Sequence, residues 1–430
     1  MVANGAAPRR LLLDVTQTSV TPFVSGVQRV VRDFATDNVE SVALVRFDPR
    51  SDRFVHVSQV PAIRRRPSSG SRAAVRLAMQ RIFLLVSRPW RQGRRVGSAH
   101  RFPLRNLARS IYIRFLADSY LVEDRRWRRG PSWGAEPGDV LLVMEIPKSQ
   151  RHLERLRTAI PGQAVLVVYV HDLIPIRHPE FSGEDNRTGL RAEFLSYLDV
   201  VGVADRIIAN SETTAKEFQH WLTFLRGEEQ PRPDVRYPPI PGEWARSRAR
   251  SAARAVDAAG DPAHLRILGI GALDGRKNLQ VVLRAAAILR GAGHRAQVTL
   301  VIPKGRTEDG EAVAMIRRLG DAVSIFDGVT DDELSDLYAS HGVVVVPSRA
   351  EGFGLPVIEG LQHGRPVVAS DIEIFRELGR VLPISLARAD DAADWARLIL
   401  AAQEPSDVHI PEGVFPPDWR GLAVDLLSRT

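Results

Sequence analysis

At 430 residues the chain is too long for one ordinary α/β domain, and two domains of about 200 residues each are expected. Hydrophobic content of 44% and charged content of 26% exclude a disordered or membrane-embedded chain, and no apolar run approaches the roughly 18 residues that span a bilayer. A formal charge of +8 points to an anionic partner, and the absence of cysteine excludes disulfides, thiolate metal sites and cysteine nucleophiles.

Met1 to Arg10 lacks the apolar core of a secretory signal, so a cytoplasmic location is expected. Arg10 to Thr16 is an apolar run of strand length, followed by a loop to Ser25 and Gly26. Val27, Val30, Val31 and Phe34 then recur at helical spacing, with Ser25 as N-cap. Further strands are read at Val42 to Phe47, Val140 to Met144 and Ala164 to Val170. Ile207 to Ser211 reads as a strand ending in a helix cap. Residues 1–235 thus form a Rossmann-like doubly wound domain with a parallel sheet.

A proline- and small-residue-rich stretch supplies the linker, 236–262. The alternation restarts over residues 263–405. Strands are expected at Leu265 to Ile270, Val298 to Ile302, Val343 to Val346 and Pro366 to Ala369. Helices are expected at Leu279 to Leu289, Asp331 to Ala339, Val357 to His363 and Trp395 to Ala402. The segment 406–430 holds a helix at Trp419 to Leu427, expected to pack back toward the N-terminal domain.

The basicity is local. Residues 61–130 hold eighteen arginines against Asp118, Glu123 and Asp124, so this insertion carries +15 and the remainder about −7. Within it, Ala73 to Val86 sets Arg76 and Arg81 among apolar residues, as an interfacial helix on anionic lipid does; an ordinary helix with a solvated arginine face is the alternative. No nucleic-acid reader module is recognisable, and nucleic acid is not expected as a partner.

The most informative run is Pro347 to Glu359. A strand ends at Pro347, a loop carries Gly352 and Gly354, and Pro356 sits where a first helical turn begins. Free amides at such a helix start, with the partial positive charge of the dipole, receive anions. Glu351 in the loop and Glu359 in the first turn suit sugar hydroxyls rather than phosphate.

This stretch, continuing through Gly364 to Asp371, resembles the donor-binding signature of the large retaining GT-B glycosyltransferase family, which includes many bacterial mannosyl- and glucosyltransferases. Gly271 to Asn278 is similar to that family's phosphate loop, and Val168 to Pro175 to its strand-end histidine motif. The resemblance implies an α/β fold of two Rossmann-like domains facing each other across a cleft. It implies that Lys277 and Arg276 bind a donor diphosphate together with Gly26 and the amides of Gly354 and Leu355. Glu351, Gly352 and Phe353 would bind the donor sugar and Glu359 the ribose. His171 and Glu351 would stand at the reaction centre, with Asp172 orienting the imidazole or capping the next turn. Ala272 departs from the pattern, because many members carry an arginine there, and whether Arg276 takes that role or faces solvent is left open.

No D-x-D sequence occurs, so no metal and no cofactor are expected. The activity implied is transfer of a sugar, with retention, from a nucleoside diphosphate sugar to a hydroxyl of a glycan or lipid-linked acceptor in surface polysaccharide or glycolipid assembly. The similarity of Thr21 to Arg29 and of Arg276 to Asn278 to mannosyltransferases points to GDP-mannose. The basic insertion would place the chain peripherally on the inner face of the cell membrane. A catalytically silent membrane-associated scaffold and a nucleotide-sugar epimerase are the alternatives.

Overall fold

The structure is a computed structural model and describes residues 9–20, 26–60, 63–65, 120–122, 131–147, 149–158, 160, 162–182, 187–230, 232–239, 264–302, 310–327, 329–403 and 408–428. Ser25, the expected interfacial helix at Ala73 to Val86 and linker residues 240–262 lie outside that set.

The first half lays down β1 (Leu11–Asp14), α1 (Thr16–Val20), α2 (Gly26–Asp37), β2 (Val42–Asp48) and β3 (Arg53–Val57). A short antiparallel pair follows, β4 (Ile63–Arg65) with β5 (Tyr120–Val122). Then come β6 (Val140–Val143), α3 (Gln150–Thr158), β7 (Val165–Val170), α4 (Ile174–Arg177), α5 (Arg187–Gly202), β8 (Arg206–Ala209), α6 (Glu212–Arg226) and β9 (Asp234–Val235). Seven strands form one sheet in the order β3-β2-β1-β6-β7-β8-β9. One strand corrects the expectation of a parallel sheet, since β3 runs antiparallel to β2. Its cause is a turn too short for a crossover. The Asp48 carboxylate accepts from the Arg50 amide (3.2 Å) and the Ser51 hydroxyl (2.9 Å), and Asp52 takes a left-handed φ of 54°.

The second half contains β10 (His264–Ile270), α7 (Leu279–Gly291), β11 (Arg295–Ile302), α8 (Gly310–Leu319), β12 (Val323–Asp327), α9 (Asp331–Ser340), β13 (Val343–Val346), α10 (Leu355–Gln362), β14 (Val367–Ser370), α11 (Glu373–Leu378), β15 (Ile384–Ala387) and α12 (Ala392–Ala401). Its six strands are all parallel, in the order β12-β11-β10-β13-β14-β15. This is the strand order of a Rossmann sheet, with the direction of winding reversing between β10 and β13. The equivalent reversal in the first sheet lies between β1 and β6.

Both sheets are covered on two faces, and the strand alternation shows it. Leu11 and Leu13 of β1 join one buried cluster, while Leu12 between them joins the other. In the second sheet Ile267 and Leu268 divide in the same way. The chain then returns: Phe415 packs in the second half, and Trp419, Leu422 and Leu426 pack in the first. There α13 (Arg420–Ser428) lies against β1, with Trp419 edge-on to Phe34 (5.7 Å) and Asp425 paired with Arg206 (2.7 Å).

Helix α10 starts at Leu355, two residues before the expected Val357. Gly354 serves as its N-cap at a φ of 89°, and Pro356 occupies the first turn, where its missing N–H is not needed. Glu359 therefore falls in the second turn rather than the first.

Candidate functional site

Open α/β sheets bind ligands beyond the carboxyl ends of their strands, where the winding reverses. In the second sheet that point is flanked by two loops, Gly271 to Asn278 after β10 and Pro347 to Gly354 after β13. They are stitched together: the Arg349 amide donates to the Arg276 carbonyl (2.8 Å), and the Arg349 guanidinium to the Gly275 carbonyl (2.7 Å). Between them Lys277 Nζ donates to Glu351 Oε1. Arg276 Nη1 reaches Glu351 Oε2 (3.3 Å) and the Ala350 carbonyl (3.2 Å), and Ser348 Oγ donates to Glu351 Oε1 (2.9 Å).

Burial alone would push the Glu351 carboxyl up, but Lys277 and Arg276 overcome it and hold the group down at about 2. It is therefore a carboxylate at any working pH, an acceptor only. Burial draws the Lys277 ammonium down from its ordinary value, with Glu351 opposing. Arg276 thus turns into the site instead of facing solvent, and Ala272 is buried beside it.

Across the cleft, β7 ends at His171. Its Nε2 lies 2.7 Å from the Met144 carbonyl, which can only accept, so Nε2 carries the hydrogen. Burial pulls the imidazole down to about 4, opposed by that bond, so the ring is neutral near pH 7 with Nδ1 as an acceptor. Asp172 does not orient the ring. Its Oδ1 accepts from the Ile174 amide (3.0 Å) and so holds the start of α4.

The two halves meet closely here. An added Cβ at Gly352 would lie 2.0 Å from the His171 carbonyl oxygen and 3.0 Å from Asp172 Cβ, so only glycine fits. The Gly352 carbonyl accepts from Ser211 Oγ (3.0 Å), and the His171 carbonyl from Asn210 Nδ2 (2.9 Å). Phe353 is buried and packs near Tyr237 and Phe415 (ring centroids 6.1 and 5.9 Å). Gly26, at the start of α2, lies opposite the start of α10, with 3.5 Å from its Cβ direction to Leu355 Cδ1. The first residue of α2 thus meets the first residue of α10. Glu359 sits one turn back. Its Oε1 accepts from Arg29 Nη1 (2.6 Å) and its Oε2 from the Tyr338 hydroxyl (2.5 Å).

Three residues that sequence reasoning did not single out organise this region. Arg29 of α2 bridges Glu359 and Asp331 across the cleft (2.6 and 3.1 Å). Glu377 of α11 accepts from the Glu212 and Thr213 amides (2.8 and 2.7 Å), the Thr213 hydroxyl (2.7 Å) and the Tyr237 hydroxyl (3.0 Å). It thereby serves the N-terminus of α6 from the other half. Glu145 follows β6, where the first sheet reverses. It accepts from the Gln17 and Thr18 amides (both 3.0 Å) and the Thr18 hydroxyl (2.6 Å). Burial, reinforced by the nearby Asp14 charge, raises its carboxyl to about 7 against the opposing pull of those bonds. The signal for Glu145 was an acid directly after a buried strand; Arg29 closes the Thr21 to Arg29 run likened above to mannosyltransferases, with no role of its own assigned there, and for Glu377 a lone charge on a helix gave none.

Residues 264–404 match the family model described as "Glycosyl transferases group 1". Among curated proteins, the chain is 26% identical to the serotype-specific mannosyltransferase WbdA of Escherichia coli, over 56% of this chain and 30% of that protein. It is 31% identical to a D-inositol 3-phosphate glycosyltransferase of Streptosporangium roseum, over 50% of this chain and 51% of that one. The chain thus spans about half or less of the length of these relatives. Among solved structures, HepE of Anabaena in complex with UDP and glucose superposes with a TM-score of 0.55 at 14% identity, over 97% of this chain and 95% of that one. Sucrose-phosphate synthase from Thermosynechococcus elongatus superposes with a TM-score of 0.56 at 16% identity, over 97% of both chains. These structures share the two-sheet GT-B architecture. No helix among the described residues is long and apolar enough to cross a membrane.

Proposed function

From a chain whose residues 264–404 match the model of the group 1 glycosyl transferases within a GT-B fold, we propose that it transfers a sugar, with retention, from a nucleoside diphosphate sugar to a hydroxyl of a glycan or lipid-linked acceptor. The observation that carries this reading is the meeting of Lys277, Arg276 and Glu351 at the reversal point of the second sheet, opposite His171.

The donor diphosphate would lie between the two cations and the helix starts at Gly26 and Leu355, whose dipoles favour an anion. Its arrival would draw Lys277 from Glu351 and free that carboxylate for sugar hydroxyls. As the bond to the sugar breaks, charge grows on the leaving phosphate, and Lys277 and Arg276 stabilise it where it appears. Same-face attack lets that phosphate take the acceptor's proton. No protein nucleophile is then required, which suits a Glu351 held down at about 2 by cations and a His171 that offers Nδ1 as an acceptor. The cation pair does the work of charge neutralisation, so the reaction is proposed to run without a metal.

GDP-mannose is the donor to test first, supported by the likeness to a mannosyltransferase, with UDP-glucose second because the HepE structure holds UDP and glucose. The basic insertion at 61–130 would favour a lipid-linked acceptor at the inner membrane face. The experiment is a donor screen by thermal shift, followed by turnover of the binding donor with wild type and Lys277→Ala. Wild-type turnover in the variant would end the assignment.

A further inference from the structure

We propose that Arg29 is a positioning residue of the donor site: from the opposite domain it holds the Glu359 carboxylate so that its remaining lone pairs face the donor ribose. This rests on the reading of Glu359 as the ribose ligand. Glu359 is buried, with a side-chain exposure of 9%, and both of its oxygens are engaged in the structure. A carboxylate offers about four acceptor positions. Arg29 and Tyr338 use one on each oxygen, which leaves one on each for a pair of vicinal hydroxyls.

Tyr338 cannot fix this arrangement by itself, because a single hydroxyl leaves the carboxylate free to swing about the bond. Arg29 adds a second anchor on the other oxygen, and its planar fork is itself tied by Asp331 at 3.1 Å. Geometry explains the location. Arg29 lies one turn into α2 and Glu359 one turn into α10, and the starts of these helices face each other at Gly26 and Leu355. The ion pair therefore forms about one helical turn behind the place proposed for the diphosphate. Because α2 and α10 belong to different halves, the pair exists only while the cleft is shut, and ribose recognition is thereby linked to closure.

The test is calorimetric binding of GDP, 2′-deoxyGDP, UDP and 2′-deoxyUDP to the full chain and to Arg29→Ala, Arg29→Lys and Glu359→Gln, each checked for an intact thermal transition. Wild type should prefer the ribose form of the nucleotide it binds by about tenfold or more, as expected for a hydroxyl bonded to a charged acceptor. Arg29→Ala should lose most of that preference and Arg29→Lys should keep part of it. A full ribose preference in Arg29→Ala, or tighter nucleotide binding in that variant, overturns the proposal. A ribose preference that survives Glu359→Gln, or is missing in wild type, overturns the ribose assignment beneath it and so separates the two failures.

Discussion

A carboxylate that is to hold neutral hydroxyls must stay ionised while buried, and Glu351 and Glu145 show two outcomes of that problem. Glu351 is neutralised by two cations and stays low; Glu145 accepts its hydrogen bonds from two amides and a hydroxyl and rises to about 7. Removing Lys277 should leave a buried acid and an unmet phosphate charge together, so Lys277→Ala is expected to lower transfer by about a hundredfold or more in steady-state assays with the identified donor. For Glu145 the sign is fixed by a folded value above the ordinary 4.5. Its stabilising contribution is complete below 4.5 and is lost as pH rises through about 7. His171 has the opposite slope, gaining stability as pH rises from about 4 to 6.5, so the difference between variants is the informative quantity. Glu145→Gln should be relatively more stable at pH 8 than at pH 4.5, by up to about 3 kcal/mol, in urea melts at the two pH values. An equal offset at both would remove Glu145 as the source.

Elements in this chain are capped locally and across the cleft, and the two differ in how visible they were. Ser211 caps α6 through the Thr214 amide, as the Ser-Glu-Thr-Thr run suggested. The same helix start is also held by Glu377, 164 residues away from Thr213, and no local pattern announces that. Glu377→Ala should orphan the Glu212 and Thr213 amides and cost about 1–3 kcal/mol in denaturant unfolding, with no change in the slope expected for a folding defect of the sheets. Strands such as β1 and β13 were legible because they are buried throughout and read as apolar runs, and β10 because apolar residues flank Arg266. β3 and β15 lie at sheet edges, where exposed positions interrupt the pattern, and they were not read. The loops of the site were legible because Gly352, Gly354 and Pro356 state backbone requirements directly. Tyr338 and the pairing of Arg29 with Glu359 became visible only when the fold set α2 and α9 beside α10, since tertiary proximity is not written in spacing.

At the scale of the molecule, the contact of Gly352 with His171 makes closure depend on the lack of a single methyl group. Gly352→Ala is expected to hold the halves apart: the radius of gyration by solution X-ray scattering should increase, and transfer should fall at least about tenfold because the reacting groups no longer align. Unchanged scattering with unchanged activity would show that the contact is not needed. The two sheets share one strand order, yet their reversal points are furnished differently. The second gathers Lys277 and Arg276 around Glu351, while the first is already filled by Glu145, a carboxyl raised to about 7 and seated on the amides of Gln17 and Thr18. Two frameworks of the same winding have thus been furnished differently, with a cation pair in one and a carboxyl held by amides in the other. An anion entering between them would meet cations on one wall and amides already taken by a side chain on the other, so the two walls of the cleft are not interchangeable.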